Sequence, residues 1–156
     1  MKKSILLVLM MTVTIFMMSC SSSKNATDLK ATNGALAGKW TVSNISVDIP
    51  SGYKVTDAFD EGPYENFRGS TWDLVRNGKG SFTLTNGTKE DIYWTIYGKG
   101  NDAQLQFKKL NGAKARKVED GYRLQLQNIS SNSFIGKSPV DLGGGKTGYI
   151  TYTFTK

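Results

Sequence analysis

The chain has no histidine and a single cysteine, and these two absences exclude much familiar chemistry. Without histidine there is no Ser-His-Asp or Cys-His catalysis, no HExxH zinc site and no haem ligation by histidine. One cysteine can form neither an internal disulfide nor a zinc ribbon. All five methionines precede residue 19, so the rest of the chain also lacks that flexible core residue. The 156 residues, 38% hydrophobic and 21% charged, suit one small domain with an attached segment.

The first twenty residues have the features of an export signal. Lys2 and Lys3 precede an apolar run, residues 5–18, which ends at Ser19 and Cys20. The run is shorter than the ~20 apolar residues that a membrane-spanning helix needs. A positive start, an apolar middle and a small residue at the end are typical of a secretory signal peptide. One interpretation is an ordinary signal peptide that is cleaved nearby, in which case Cys20 has no role.

This segment also resembles a bacterial lipoprotein signal, in which the chain is cut before an invariant cysteine that receives a diacylglycerol thioether. The resemblance implies that residues 1–19 are removed and that Cys20 carries the lipid, although Met17 stands where such signals usually have leucine. Residues 20–35 are then the lipidated cysteine and a flexible polar tether. No acidic cluster follows the cysteine, which favours the periplasmic face of the outer membrane.

The charge of the chain gives little support for nucleic-acid binding. The formal net charge is +7, and the loss of Lys2 and Lys3 with the signal lowers it to +5. Basic residues are interleaved with acidic ones except at Lys114, Arg116 and Lys117. A nucleic-acid interface needs a larger basic patch, so we expect no nucleic-acid partner.

From residue 36 onward, apolar and polar residues alternate in short segments separated by glycine, asparagine and aspartate, and no stretch keeps a helical period. Such alternation gives each strand one buried and one exposed face. Asn-Gly pairs at 86–87 and 111–112 are typical hairpin turns, so successive strands are expected to run antiparallel. We predict strands at 38–49, 70–77, 80–86, 88–98, 103–110, 113–119, 121–130 and 147–155, with 133–137 as an optional extra strand.

This count predicts an all-β domain over residues 36–156, folded as an eight-stranded antiparallel up-and-down barrel. A two-sheet sandwich is the alternative, but the run of tight hairpins favours the barrel. The first strand changes phase, because Trp40 and Val42 share one parity and Ile45 has the other. We therefore expect a bulge near Ser43.

Residues 50–69 form the longest connector between predicted strands, and they contain Tyr53, Phe59, Tyr64 and Phe67. Long connectors of this kind usually serve a function or pack on the domain. Two interpretations stay open. The connector is either a flap that plugs one end of the barrel with its own rings or a lid that controls access of a ligand.

Aromatic residues on the strands fall on parities that can face the barrel interior. They can fill that interior completely or leave a pocket for a lipophilic molecule at the open end, and a small or collapsed cavity is expected if all of them point inward. The eight residues are Trp40, Trp72, Trp94, Phe82, Phe107, Tyr122, Tyr152 and Phe154.

Residues 36–40, Leu-Ala-Gly-Lys-Trp, open the first predicted strand and resemble the start of lipocalin-like domains. In those domains a Gly-x-Trp motif places a tryptophan across the closed end of the barrel. Gly38 would let the backbone cross close beneath the barrel, and the Trp40 indole would cover the opening. With the export signal, the tether and the hairpins, the chain is similar to bacterial lipocalin-like lipoproteins. It lacks the Thr-Asp-Tyr loop motif and the late arginine of the outer lipocalin families.

The resemblance implies a lipid-anchored envelope protein that binds or transports a small hydrophobic molecule at the end opposite Trp40, with no cofactor and no enzymatic activity. The alternative is an interaction protein, whose filled barrel is a scaffold and whose connector docks on an envelope partner. The membrane is the expected partner in both cases. The candidate pocket or lid residues are Tyr53, Phe59, Tyr64, Phe67, Trp72, Trp94, Tyr122 and Tyr152.

Other patterns give little support for catalysis or metal binding. Residues 143–147 end like a phosphate loop, but Val140 stands where that motif needs glycine, so a hairpin loop is the better interpretation. Three carboxylates of the connector, Asp60, Glu61 and Glu65, could act as an acid and base pair in an envelope enzyme, but the sequence shows no fixed separation between them. The same three with Asp57 could ligate calcium, but the DxDxDG spacing is absent, so no metal is expected.

Overall fold

The computed structural model describes residues 29–112, 114 and 120–156. Eight strands form one closed antiparallel barrel in which each strand pairs with the next and the last pairs with the first. This confirms the predicted all-β, up-and-down barrel, which is consistent with a lipocalin-like (calycin-like) fold. The strands are β1 Gly38–Asp48, β2 Thr71–Leu74, β3 Lys79–Thr83, β4 Lys89–Tyr97, β5 Gln104–Lys109, β6 Tyr122–Gln127, β7 Ser133–Asp141 and β8 Thr147–Thr155.

Helical structure is sparse in the described part of the chain. It consists of the short helix α1, Asn33–Leu36, and two 3-10 turns at Tyr64–Phe67 and Gly100–Asp102. None of these helices is long and apolar enough to cross a membrane.

Several predicted strands are a few residues longer than the observed ones, and two predictions differ from the structure in more than their ends. The optional strand at 133–137 is the full strand β7, which runs to Asp141 and pairs with β8 along its whole length. Space at Gly136 is tight, because a Cβ there would lie 3.2 Å from the side chain of Leu124 and 3.3 Å from that of Phe154. Of the predicted strand at 113–119, all but residue 114 lies outside the described residues, and β5 pairs directly with β6.

The predicted bulge in β1 is confirmed by a register shift between Val42 and Asn44 in its pairing with β8. Strands β1 and β2 pair only from Gly38 to Thr41, so β1 is no longer paired with β2 beyond this shift. The connector takes over the exposed edge of β1. Its Arg68 guanidinium donates to Asn44 Oδ1 at 2.8 Å and to the Ile45 carbonyl at 2.9 Å.

The closed end of the barrel is covered by residues 29–36. Thr32 caps α1 by accepting a hydrogen bond from the Ala35 amide at 3.1 Å, and Leu36 is completely buried. Asn33 Oδ1 accepts from the Ile96 amide on β4, and the Leu29 amide donates to the Ile129 carbonyl. Residues 29–35, which the sequence analysis assigns to the flexible tether, therefore lie against the barrel, and residues 20–28 lie outside the described part of the chain.

Aromatic rings fill the interior of the barrel. Of the eight strand aromatics expected inside, all are fully buried except Tyr122, which is half-buried at one end. The barrel is thus a packed core along its axis, with no room there for a ligand. Successive ring contacts run from the closed end to the open end through Trp40, Phe134, Phe154, Trp72, Phe107 and Phe59.

Candidate functional site

The end of the barrel opposite Trp40, here called the mouth, contains a cavity of about 240 Å³. It lies between the connector and the mouth ends of β6, β7 and β8. Its volume is below the ~300–1,000 Å³ of most small-molecule pockets, so it suits a small ligand or one group of a larger ligand. The lining residues are Asp57, Ala58, Phe59, Tyr122, Ser138, Pro139, Val140, Asp141, Ile150 and Tyr152.

Phe59 forms one wall of this cavity and closes the mouth over the core. Its side chain is only 7% exposed, and its ring centroid lies 5.2 to 5.5 Å from those of Phe67, Phe107, Tyr122 and Tyr152. Three of these contacts are edge-on, the arrangement that aromatic pairs prefer. In this structure the connector therefore has the arrangement of the plug rather than that of an open lid.

A set of polar contacts holds the Phe59 backbone at the mouth. Lys109, at the end of β5, donates from Nζ to the carbonyls of Phe59 and Asp60 at 3.1 and 3.2 Å and forms an ion pair with Glu61. The Tyr122 hydroxyl donates to Asp60 Oδ2 at 2.6 Å. The backbone of Phe59 and Asp60 is strained, because both residues have a φ of 53°. This conformation costs a non-glycine residue of order 1–3 kcal/mol, which the contacts must offset. We call this set the Lys109 latch.

Tyr152, one of the residues that line the cavity, has an unusual hydroxyl group. Tyr152 is 1% exposed, and its hydroxyl oxygen has no hydrogen-bond partner among the described residues. Burial raises the pKa of this phenol well above its ordinary value, so the group stays protonated at neutral pH. A buried hydroxyl without a partner costs ~1–3 kcal/mol, and a ligand in the cavity could supply the missing hydrogen bond.

Tyr122 borders the same cavity but has a partner. Burial raises the pKa of its hydroxyl, and the hydrogen bond to Asp60 and the nearby carboxylates raise it further. Its phenol is therefore also neutral at physiological pH, and its hydrogen is committed to Asp60.

The other candidate pocket residues lie away from the cavity. Tyr53 stands beside Lys146, whose Nζ is 5.2 Å from its ring centroid, and Tyr64 packs on the core. Phe67, near the end of the connector, is completely buried in the core. The indoles of Trp72 and Trp94 are core groups, with their Nε1 hydrogens bonded to Ser70 Oγ and to the Lys79 carbonyl.

Gly38 and Trp40 lie at the closed end, and Cys20 lies outside the described residues. Gly38 has a φ of 136°, and a Cβ there would lie 3.1 Å from Lys156 Cε. The Trp40 indole donates to the Leu36 carbonyl at 2.8 Å, and the Lys156 ammonium stands 4.4 Å from its ring centroid. Trp40 is thus enclosed by α1 on one side and by a cation on the other.

Sequence reasoning missed two kinds of site residue. Ile150 has the same parity as Tyr152, so the alternation of β8 contained the signal that it faces inward. Lys109 had no such signal, because it binds backbone carbonyls of an irregular connector whose position no spacing reveals.

The remaining motifs behave as structural features. Residues 143–145 are glycines with positive φ that turn β7 into β8, and the Lys146 amide donates to the Gly143 carbonyl at 3.1 Å, which confirms the hairpin loop. Within residues 29–112, 114 and 120–156, no group of three potential metal ligands is close enough to hold an ion. Comparison of the chain with protein-family models, with curated proteins and with solved structures finds no significant match.

Proposed function

We propose that this chain is a lipid-anchored, lipocalin-like protein of the bacterial cell envelope that binds a small, largely apolar molecule at its mouth and catalyses no reaction. The observation that carries the binding proposal is the buried Tyr152 hydroxyl without a partner, next to a cavity with aromatic walls. Apolar walls with a few placed polar groups are the usual composition of a small-molecule site.

The packed interior limits the kind of ligand. Because rings occupy the barrel axis, a long chain cannot enter deeply unless Phe59 moves. A ligand held at the rim exchanges easily with the surroundings, which suits reversible binding or transfer between carriers. We infer a compact ligand whose hydrogen-bonding group meets Tyr152.

Native mass spectrometry of the protein purified from the cell envelope tests this proposal. The same sample is measured under native and denaturing conditions. A reproducible excess mass of a few hundred daltons that is lost on denaturation, and is reduced in Tyr152→Phe, supports ligand binding. A bare polypeptide mass together with no binding of any added aromatic probe argues against it.

The anchoring part of the proposal rests on the signal and on Cys20. Cys20→Ser should release the protein from membrane fractions or stall its processing, whereas Ser21→Ala, a matched change one residue later, should leave both unchanged. Full membrane retention of Cys20→Ser would contradict lipid anchoring.

A second candidate function is docking on an envelope protein, and the filled interior favours it. In that case the barrel is a scaffold, and the connector, which carries Tyr53 and Tyr64, contacts the partner. Crosslinking in cells separates the two functions. A specific protein adduct that disappears in the Tyr53→Ser/Tyr64→Ser variant supports docking, and an unchanged adduct pattern counts against it.

A further inference from the structure

The charge of the mouth cavity is opposite to that of the protein. The whole chain has a net charge of +7, yet the cavity lining contains Asp57 and Asp141 and neither a lysine nor an arginine. An acidic cavity in a basic protein is not expected from composition. It favours ligands of positive charge over the fatty acids that an apolar barrel would first suggest.

Both carboxylates are fixed in position by the backbone. Asp57 Oδ1 accepts from the Gly62 amide at 3.3 Å, and Asp141 Oδ1 accepts from the Gly143 amide at 2.8 Å. Neither carboxylate forms an ion pair with a cation of the described residues. Each therefore keeps its negative charge available at the rim.

Three lysines on the strands and hairpin that form the mouth contact other groups of the protein. Lys109 binds Glu61 and two backbone carbonyls. Lys146 stands over the ring of Tyr53, and Lys137 lies 3.9 Å from the ring centroid of Tyr149.

The aromatic walls add to the preference for a cation. Phe59, Tyr122 and Tyr152 surround one side of the cavity, and the faces of aromatic rings carry partial negative charge that attracts ammonium groups. The unpartnered Tyr152 hydroxyl is also an acceptor, so it can take a hydrogen bond from an N–H of the ligand. Rings, hydroxyl and carboxylates thus select the same class of molecule.

We propose that the mouth cavity binds a small organic ammonium ion that carries a short apolar group. The ammonium lies near Asp57 and Asp141 with one N–H directed to the Tyr152 hydroxyl, and the apolar group packs on Phe59 and Tyr122. This inference rests on the proposed function, because it specifies the charge of the ligand for the same cavity.

Three probes of one shape test the charge preference. Benzylamine is a cation at neutral pH, benzyl alcohol is neutral and benzoate is an anion. Each is titrated by calorimetry into the intact protein in nanodiscs of zwitterionic lipid, with empty nanodiscs as the blank. We expect benzylamine to bind about tenfold more tightly than benzyl alcohol, benzoate to bind most weakly, and the advantage of benzylamine to shrink as salt is raised.

The variants Asp57→Asn and Asp141→Asn, singly and together, locate the effect. Asparagine keeps the Oδ1 acceptor that holds each turn, so the charge is removed while the hydrogen bonds to Gly62 and Gly143 are kept. The double variant should bind benzylamine and benzyl alcohol equally. Asp102→Asn, an exposed position in the 3-10 turn at the opposite end, is the matched control and should keep the preference.

The outcomes distinguish this inference from the proposed function. Equal binding of benzylamine and benzyl alcohol, weakened by Tyr152→Phe, would overturn the cation preference and leave the mouth as a binding site. Benzylamine binding that survives both Asp substitutions would also overturn it. Absence of binding by all three probes would count against the proposed function as well. If the double variant does not fold, the single variants and the salt series on the unaltered protein decide the question.

Discussion

Phe59→Ala is the substitution that tests the plug at the mouth most directly. It removes a ring that is 7% exposed and touches four other rings, while leaving the Lys109 latch, which binds the backbone at this position. Phenylalanine to alanine changes in protein cores cost ~3–5 kcal/mol. Because the site lies at the end of the barrel, where the connector can settle and water can enter, we expect a loss of about 3 kcal/mol in the free energy of unfolding.

Urea unfolding followed by tryptophan fluorescence measures this loss, and thermal unfolding gives a second value. For a domain of this size, about 3 kcal/mol corresponds to a fall of roughly 10 °C in the melting temperature. Tyr53→Ala is the matched control, because Tyr53 lies on the same connector outside the ring cluster, and it should cost less than ~1 kcal/mol. A loss below ~1 kcal/mol for Phe59→Ala would refute the argument and show that the connector is a loosely held lid.

Three further changes probe other contacts. Lys109→Met should lower the free energy of unfolding, measured in urea, by ~2 kcal/mol. Breaking a fully buried ion pair costs ~3–5 kcal/mol, but the side chains of Lys109 and Glu61 are 14% and 11% exposed. An unchanged free energy of unfolding would contradict a stabilising role of the Lys109 latch. Tyr152→Phe should be neutral or stabilising at pH 7, since it removes an unpartnered hydroxyl. Burial raises the pKa of Tyr152 in the folded state, so the phenol ionises first in the unfolded chain and the free energy of unfolding falls as pH rises above ~10. Tyr152→Phe should therefore lose less stability than the unaltered protein between about pH 9 and pH 11, and equal losses would contradict the burial argument. Trp40→Phe leaves the Leu36 carbonyl without its donor and should cost ~1–3 kcal/mol in thermal unfolding, so an unchanged melting temperature would show that the closed end does not depend on the indole.

The sequence predicts most of the barrel because alternation and turn residues are local signals. In β4 and β8 every second residue is apolar, and the structure buries Ile92, Trp94, Ile150, Tyr152 and Phe154 as that pattern requires. The phase change in β1 likewise indicated the bulge correctly.

The length of strand β7 was underestimated because two of its residues are poor strand formers. Gly136 and Pro139 interrupt the alternation, and both are usually turn signals. In the barrel, Gly136 fits where Leu124 and Phe154 come close to the backbone, and Pro139 lies beyond the last residue that pairs with β6. Such requirements come from neighbouring strands and are not visible in a window of sequence.

The end of the tether and the latch could not be read from the sequence for a related reason. Residues 29–35 are small and polar, as in a flexible segment, yet two hydrogen bonds fix them in place: the Leu29 amide donates to the Ile129 carbonyl between β6 and β7, and Asn33 Oδ1 accepts from the Ile96 amide of β4. The latch depends on Lys109 meeting the carbonyls of residues 50 positions earlier in the chain. Both are tertiary contacts between irregular segments, for which no periodicity exists.

The pairing of β1 with β8 has a consequence for the order of folding. Thr41 pairs with Thr155 and Asp48 with Tyr149, so the seam joins segments at opposite ends of the domain. When a chain emerges from a ribosome or a translocation channel with its amino end first, strands β1 to β7 are all released before β1 can pair with β8. During that interval the open sheet exposes its aromatic face and two free edges, which are the features that promote aggregation. The barrel can close only after the last strand is released, so a chain truncated before β8 should be a substrate for chaperones and proteases rather than a smaller stable domain.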